Sequence, residues 1–170
     1  MPIRPHFLVP LALALLLISG TSCSRATRPV DTAAINRAVS AAEATFQAMK
    51  ARDYRGIWER LTSKSRETVA DETLEALAGE GKRETGREAL LADFRDGGPA
   101  ARSYWDAFLT HFNPDMALAE SRWEAAETGP GRVLILITHK TSDRPAAVQM
   151  VLEDGAWKFG LVETFWGRRE

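Results

Sequence analysis

Apolar residues recur every three or four positions through the first two thirds of the chain and every second position in the last third, with the change near Pro114. From Asp31, a residue suited to cap a helix, Ile35, Ala38, Val39, Ala42, Phe46 and Met49 share one helical face that runs to about Arg52. Tyr54, Ile57, Trp58 and Leu61 repeat the spacing, predicting a second, short helix after almost no loop. Residues 62 to 98 are charge-rich and interrupted by Gly79, Gly81, Gly86 and Gly97-Gly98. Their short apolar sets, Val69, Leu74 and Leu77 and then Leu90, Leu91 and Phe94, predict two modest surface helices. Pro99 opens a stronger helix with Tyr104, Trp105, Phe108, Leu109 and Phe112 on its buried side, ended by Asn113-Pro114.

Beyond Pro114, Met116 to Ala126 reads as a strand with Ala117, Ala119, Ser121 and Trp123 on one face, although its alanines and glutamates also suit a helix. Gly129-Pro-Gly131 predicts a turn, and Arg132 to His139 a strand apolar enough to be central and covered on both faces. Ala147 to Glu153 and Ala156 to Trp166 form two more strands around Asp154-Gly155, a tight hairpin signal. The order predicts an α+β domain: N-terminal helices packed on a curved antiparallel sheet of about four strands.

On two stretches the chain resembles the nuclear transport factor two-like superfamily. These are Phe46-Gln-Ala-Met-Lys-Ala-Arg-Asp-Tyr54 leading into Ile57-Trp58-Glu-Arg-Leu61, and the closing hairpin Val151-Leu-Glu-Asp-Gly-Ala-Trp-Lys-Phe159. The resemblance covers about residues 31 to 166 and implies a cone-shaped fold, with a homodimer through the sheet as one option. The helical section from 62 to 112 is longer than in the superfamily's simplest members.

The segment before the domain changes where the protein is expected to act. Arg4, the apolar run Phe7 to Ile18 and the small residues Ser19 to Ser22 follow the order of a secretory signal peptide, assigned to residues 1 to 22. The apolar run is too short for a permanent span of about 20 residues and contains Pro10. Small residues directly before Cys23 resemble a bacterial lipoprotein signal, in which the cysteine is acylated and becomes the first mature residue; Gly20 stands where such signals usually carry leucine. Residues 23 to 30 then form a lipidated tether, and 31 to 170 a single domain. The expected location is the cell envelope, on the membrane through the lipid on Cys23, facing the periplasm from the outer membrane if the cell has two membranes. The alternative is a soluble secreted protein cut nearby, with Cys23 incidental.

Composition narrows the function. With 45% hydrophobic and 26% charged residues among 170, the chain is typical of one folded domain. Loss of Arg4 with the signal leaves 21 basic residues against 23 acidic, a net −2 that argues against nucleic-acid binding. A single cysteine allows no internal disulfide and no cysteine-based zinc site, and no cofactor or metal is expected. No nucleophile elbow or phosphate-binding glycine loop is present.

The polar candidates are Glu163, predicted on one strand face with Trp157, Phe159, Leu161 and Phe165, and His139 at the end of the central strand. His111 at the end of the aromatic helix is expected to meet helix-end carbonyls. Tyr54, Trp58, Tyr104, Trp105, Phe108, Trp157 and Phe159 are candidates to wall a conical pocket, or else to fill the core. Two functions follow: a non-catalytic module binding a small apolar ligand or an envelope protein, or a small acid/base enzyme of isomerase or dehydratase type using Glu163 or His139.

Overall fold

The computed structural model describes residues 31–81 and 85–165; the segment expected to be a signal peptide, the expected tether with Cys23, and Trp166 lie outside them. Helix α1 (Thr32–Lys50) starts at Asp31, whose side chain accepts the Ala34 N–H at 3.0 Å, and buries Ala38, Ala42, Phe46 and Met49. Three residues later α2 (Tyr54–Arg60) starts at Asp53. The corner contains Arg52 at φ 52, and Arg52 and Tyr54 both bond to Asp106, Tyr54 Oη at 2.8 Å. Next come α3 (Ser63–Gly79) and α4 (Arg87–Asp96). Helix α4 is more than a surface helix: Leu90 and Phe94 are fully buried, and Phe94 stacks on Trp58 at 4.7 Å. Helix α5 (Pro99–His111) carries the aromatic stripe expected of it.

Chain direction after α5 differs from the sequence reading. Asn113 caps a short helix α6 (Pro114–Ala119), so Met116 to Ala119 are helical. An Asx cap, a proline at the first position and helix-forming Ala117, Leu118 and Ala119 outweigh the alternating pattern there. Strand β1 (Ser121–Gly129) therefore begins five residues later than the expected strand, and Trp123 Nε1 donates to Ala117 O at 2.8 Å to hold the helix against it.

The sheet is antiparallel in the order β1, β2 (Arg132–His139), β3 (Ala146–Glu153), β4 (Ala156–Gly160). A register shift at Ala125/Glu127 marks a bulge in β1, and Asp154 and Gly155 take φ 50 and 78 in the β3–β4 hairpin, as that dipeptide favours. The domain is thus α+β, with helices on one face of a four-stranded open sheet. Val133, Ile135, Ile137, Val148, Met150 and Phe159 face the helices and are buried. Strand β2 is central, but it is covered fully on that face alone: Leu134 and Leu136 on the other are only half-buried.

The last expected strand stops at Gly160, and Leu161–Phe165 forms helix α7. Two contacts turn the chain. The Ser65 Oγ accepts the Val162 N–H at 3.1 Å, and Thr164 Oγ1 accepts the Gln149 N–H at 2.9 Å, which a longer β4 would have left to strand pairing. Gly160 makes the turn possible, since a Cβ there would lie 2.9 Å from the Glu163 carboxylate and 3.1 Å from Gln149 O.

Phe46 joins the layers, with its ring 5.3 Å from Phe112, 5.0 Å from Trp123 and 5.9 Å from Phe159. Phe46→Ala is expected to lower the unfolding free energy by about 3–5 kcal/mol, read from urea denaturation followed by circular dichroism.

Candidate functional site

Several residues expected to wall a cone are packed in the core. Trp58, Trp105 and Phe159 lie in the core at 5%, 0% and 1% exposure, while Tyr54, Phe108 and Trp157 are partly buried against it. Trp105 Nε1 is buried with no hydrogen-bond partner. Of the expected pocket residues, Tyr104 lines a cleft that lies among the helices.

Glu163 is in the first turn of α7, not on a strand face with Trp157 and Phe159. Its carboxylate closes a polar clasp with the start of α3. Ser65 Oγ donates to Glu163 Oε2 at 3.0 Å, and Thr62 Oγ1 lies 3.2 Å from both carboxylate oxygens and 2.7 Å from Ser65 Oγ. Thr62 also accepts the Ser65 N–H, capping α3. Thr62 and Ser65 are fully buried, so Glu163 is what satisfies their hydroxyls.

His139 sits in a different cluster. Its Nε2 lies 3.2 Å from Glu120 Oε2 and its Nδ1 2.9 Å from Thr141 Oγ1. Hydrogen bonds from Lys140 and then His139 hold the Glu120 carboxyl below the usual range. Glu163 and His139 share no partner, and the surface around His139 is open to solvent. His111 Nδ1 lies 3.3 Å from Ala107 O one turn back, a helix-end carbonyl of α5. Among the described residues no three of His, Cys, Asp and Glu are grouped to hold a metal ion, and no helix is long and apolar enough to cross a membrane.

The cleft of about 660 Å³ runs between α3, α4 and α5. Its walls are set by an elbow between α4 and α5. Asp93 Oδ1 accepts the Ala101 N–H at 2.8 Å, capping α5, and Gly98 N–H donates to Asp93 O at 2.8 Å. A Cβ at position 98 would come 2.3 Å from Asp93 Oδ2, so a larger residue there would displace the carboxylate that caps α5. Ala76, Leu77, Ala89, Leu90, Ala100 and Tyr104 supply the apolar lining, with Glu72 and Thr73 among the polar groups. The sequence carried a signal for this opening that periodicity does not weigh: where three helices meet, alanines at 76, 89 and 100 leave space that larger side chains would fill.

Tyr104 is held from behind, its ring 5.8 Å from Phe94 and 5.1 Å from Trp105, both edge-on. Burial, and secondarily the Glu72 charge, push its phenol up to about 12. The cleft therefore presents a protonated hydroxyl at any physiological pH. No family model, curated protein or solved structure matches the chain.

Because the folded phenol titrates above its ordinary value of 10.0, at about 12, its contribution to stability is complete below pH 10 and is lost as pH rises through 12. Tyr104→Phe is expected to lose less in thermal midpoint than the wild type between pH 10 and 12, while the two respond alike to pH from 7 to 9.

Proposed function

We propose that this is a non-catalytic binding module, exported and tethered to the cell envelope by a lipid on Cys23, whose small apolar ligand seats in the α3–α4–α5 cleft. The observation that carries the reading is the cleft itself. Its volume, about 660 Å³, is within the roughly 300–1,000 Å³ of small-molecule sites, and half of its lining residues are apolar. The acid/base alternative has less support, since Glu163 is engaged with two buried hydroxyls and His139 with Glu120 and Thr141.

N-phenyl-1-naphthylamine, a neutral apolar fluorophore, is expected to brighten on binding the purified domain. Ala76→Phe and Ala89→Phe, at exposed positions lining the cleft, are expected to weaken binding at least about tenfold while changing stability by no more than about 0.5 kcal/mol. A dye that does not bind, or binds both variants as well as the wild type, would overturn the assignment of the cleft.

The tether has its own test. Full-length protein is expected to incorporate radiolabelled palmitate and to fractionate with membranes, and Cys23→Ala to lose both. Equal membrane partitioning of the variant would remove the anchor from the reading.

A further inference from the structure

Several polar groups at the cleft are already engaged. Thr73 Oγ1 donates to Val69 O at 2.7 Å, one turn back in α3, and Asp93 Oδ1 accepts the Ala101 N–H. Glu72 and Glu80 have interactions of their own within the protein. The Tyr104 hydroxyl differs. Among the described residues none accepts a hydrogen bond from it, and Glu72 acts on it through charge. Nor is it sealed inside the protein, since the buried side-chain polar atom left without a partner among the described residues is the neighbouring Trp105 Nε1.

The rest of the side chain is fixed. Phe94 and Trp105, both fully buried, meet the Tyr104 ring at interplanar angles of 74° and 86°, so its apolar part is held against the core and its hydroxyl end opens on the cleft. A donor held this way discriminates between ligands. Any molecule covering it removes its water, and a ligand with no acceptor at that point leaves the O–H unpaired, which costs more than an ordinary hydrogen bond contributes. A ligand with an oxygen there restores the bond, and little further ordering of the ring is needed to make it.

We infer that Tyr104 determines the specificity of the α3–α4–α5 cleft, and that the ligand is an apolar molecule bearing a carbonyl oxygen that accepts the Tyr104 hydroxyl while its hydrocarbon lies against Leu77, Ala89, Leu90 and Ala100. This rests on the reading of the cleft as a ligand site. The class comprises ketones, esters and amides with a chain or ring skeleton small enough for about 660 Å³. A hydrocarbon of the same size is disfavoured by the same geometry.

The test compares 1-acetylnaphthalene with 1-ethylnaphthalene, which share a ring system and differ in the carbonyl, as competitors of N-phenyl-1-naphthylamine on the purified domain at pH 7. Tyr104→Phe keeps the ring and removes the donor. It is expected to weaken the ketone about three- to tenfold and to leave the hydrocarbon unchanged or slightly tighter, so that differences in solubility between the probes cancel. The carbonyl stretch of bound 1-acetylnaphthalene, read by infrared difference spectroscopy, is expected at lower wavenumber on the wild type than on Tyr104→Phe. If the variant weakens both probes equally, or the stretch is the same on the two proteins, Tyr104 acts by packing and the inference is wrong while the cleft assignment stands. If Tyr104→Phe does not fold, the wild type alone decides: a bound stretch equal to that of the ketone in hexane overturns the inference. If the dye does not bind the wild type at all, the inference and the cleft assignment both fall.

Discussion

The arrangement of the domain depends on the ring of Phe46. It projects from α1 and meets Phe112 at the end of α5, Trp123 on β1 and Phe159 on β4, so one side chain is in contact with the helical layer and with both edge strands of the sheet. The contact continues outward without a break. Phe112 lies against Phe108, Phe108 against Trp105, Trp105 against Tyr104, Tyr104 against Phe94, and Phe94 against Trp58. Each edge or stacked contact adds about 0.5–1.5 kcal/mol beyond the area it buries, but the larger effect is geometric. A row of rigid rings fixes where α2, α4 and α5 sit relative to the sheet, and Tyr104 is the member of that row that reaches the cleft.

The same row commits most of these rings to packing. Aromatic residues that would wall a pocket if they stood apart instead touch each other. Space appears one layer further out, where alanines replace rings and α3 faces α4 and α5 across small side chains. The polar groups divide the same way. Glu163, Thr62 and Ser65 are consumed in closing the fold, and Asp93 in capping α5, while Tyr104 lines the opening.

Much of the fold was legible in the sequence because its signals are local. The 3.6-residue period of α1, α2 and α5, the apolar run of β2 and the Asp154-Gly155 turn each act over a few residues, and each element stands where those patterns put it. Failures occur where distant partners decide. Residues 161 to 165 alternate well enough for a strand, but the hydroxyls of Thr62 and Ser65, nearly a hundred residues earlier, hold them in a helix. At Met116 to Ala119 a cap and a proline outweighed a weak alternation. Alternation places Glu163 on a face with large apolar residues, a face that ends at Gly160. The cleft was least legible, because alanine carries no chemical signature and an opening between helices is a property of packing rather than of any one residue.

The clasp between Ser65 and Glu163 also constrains when the fold can form. Its two halves are separated by 98 residues, and the Phe46 to Phe159 contact is similarly remote in sequence. At synthesis rates of about 5–20 residues per second, roughly 5–20 s pass between the appearance of Ser65 and that of Glu163. During that time the N-terminal helices lack the sheet on which they pack and the carboxylate that satisfies the start of α3. The clasp and the Phe46 contact therefore close only after nearly all of the chain has been made.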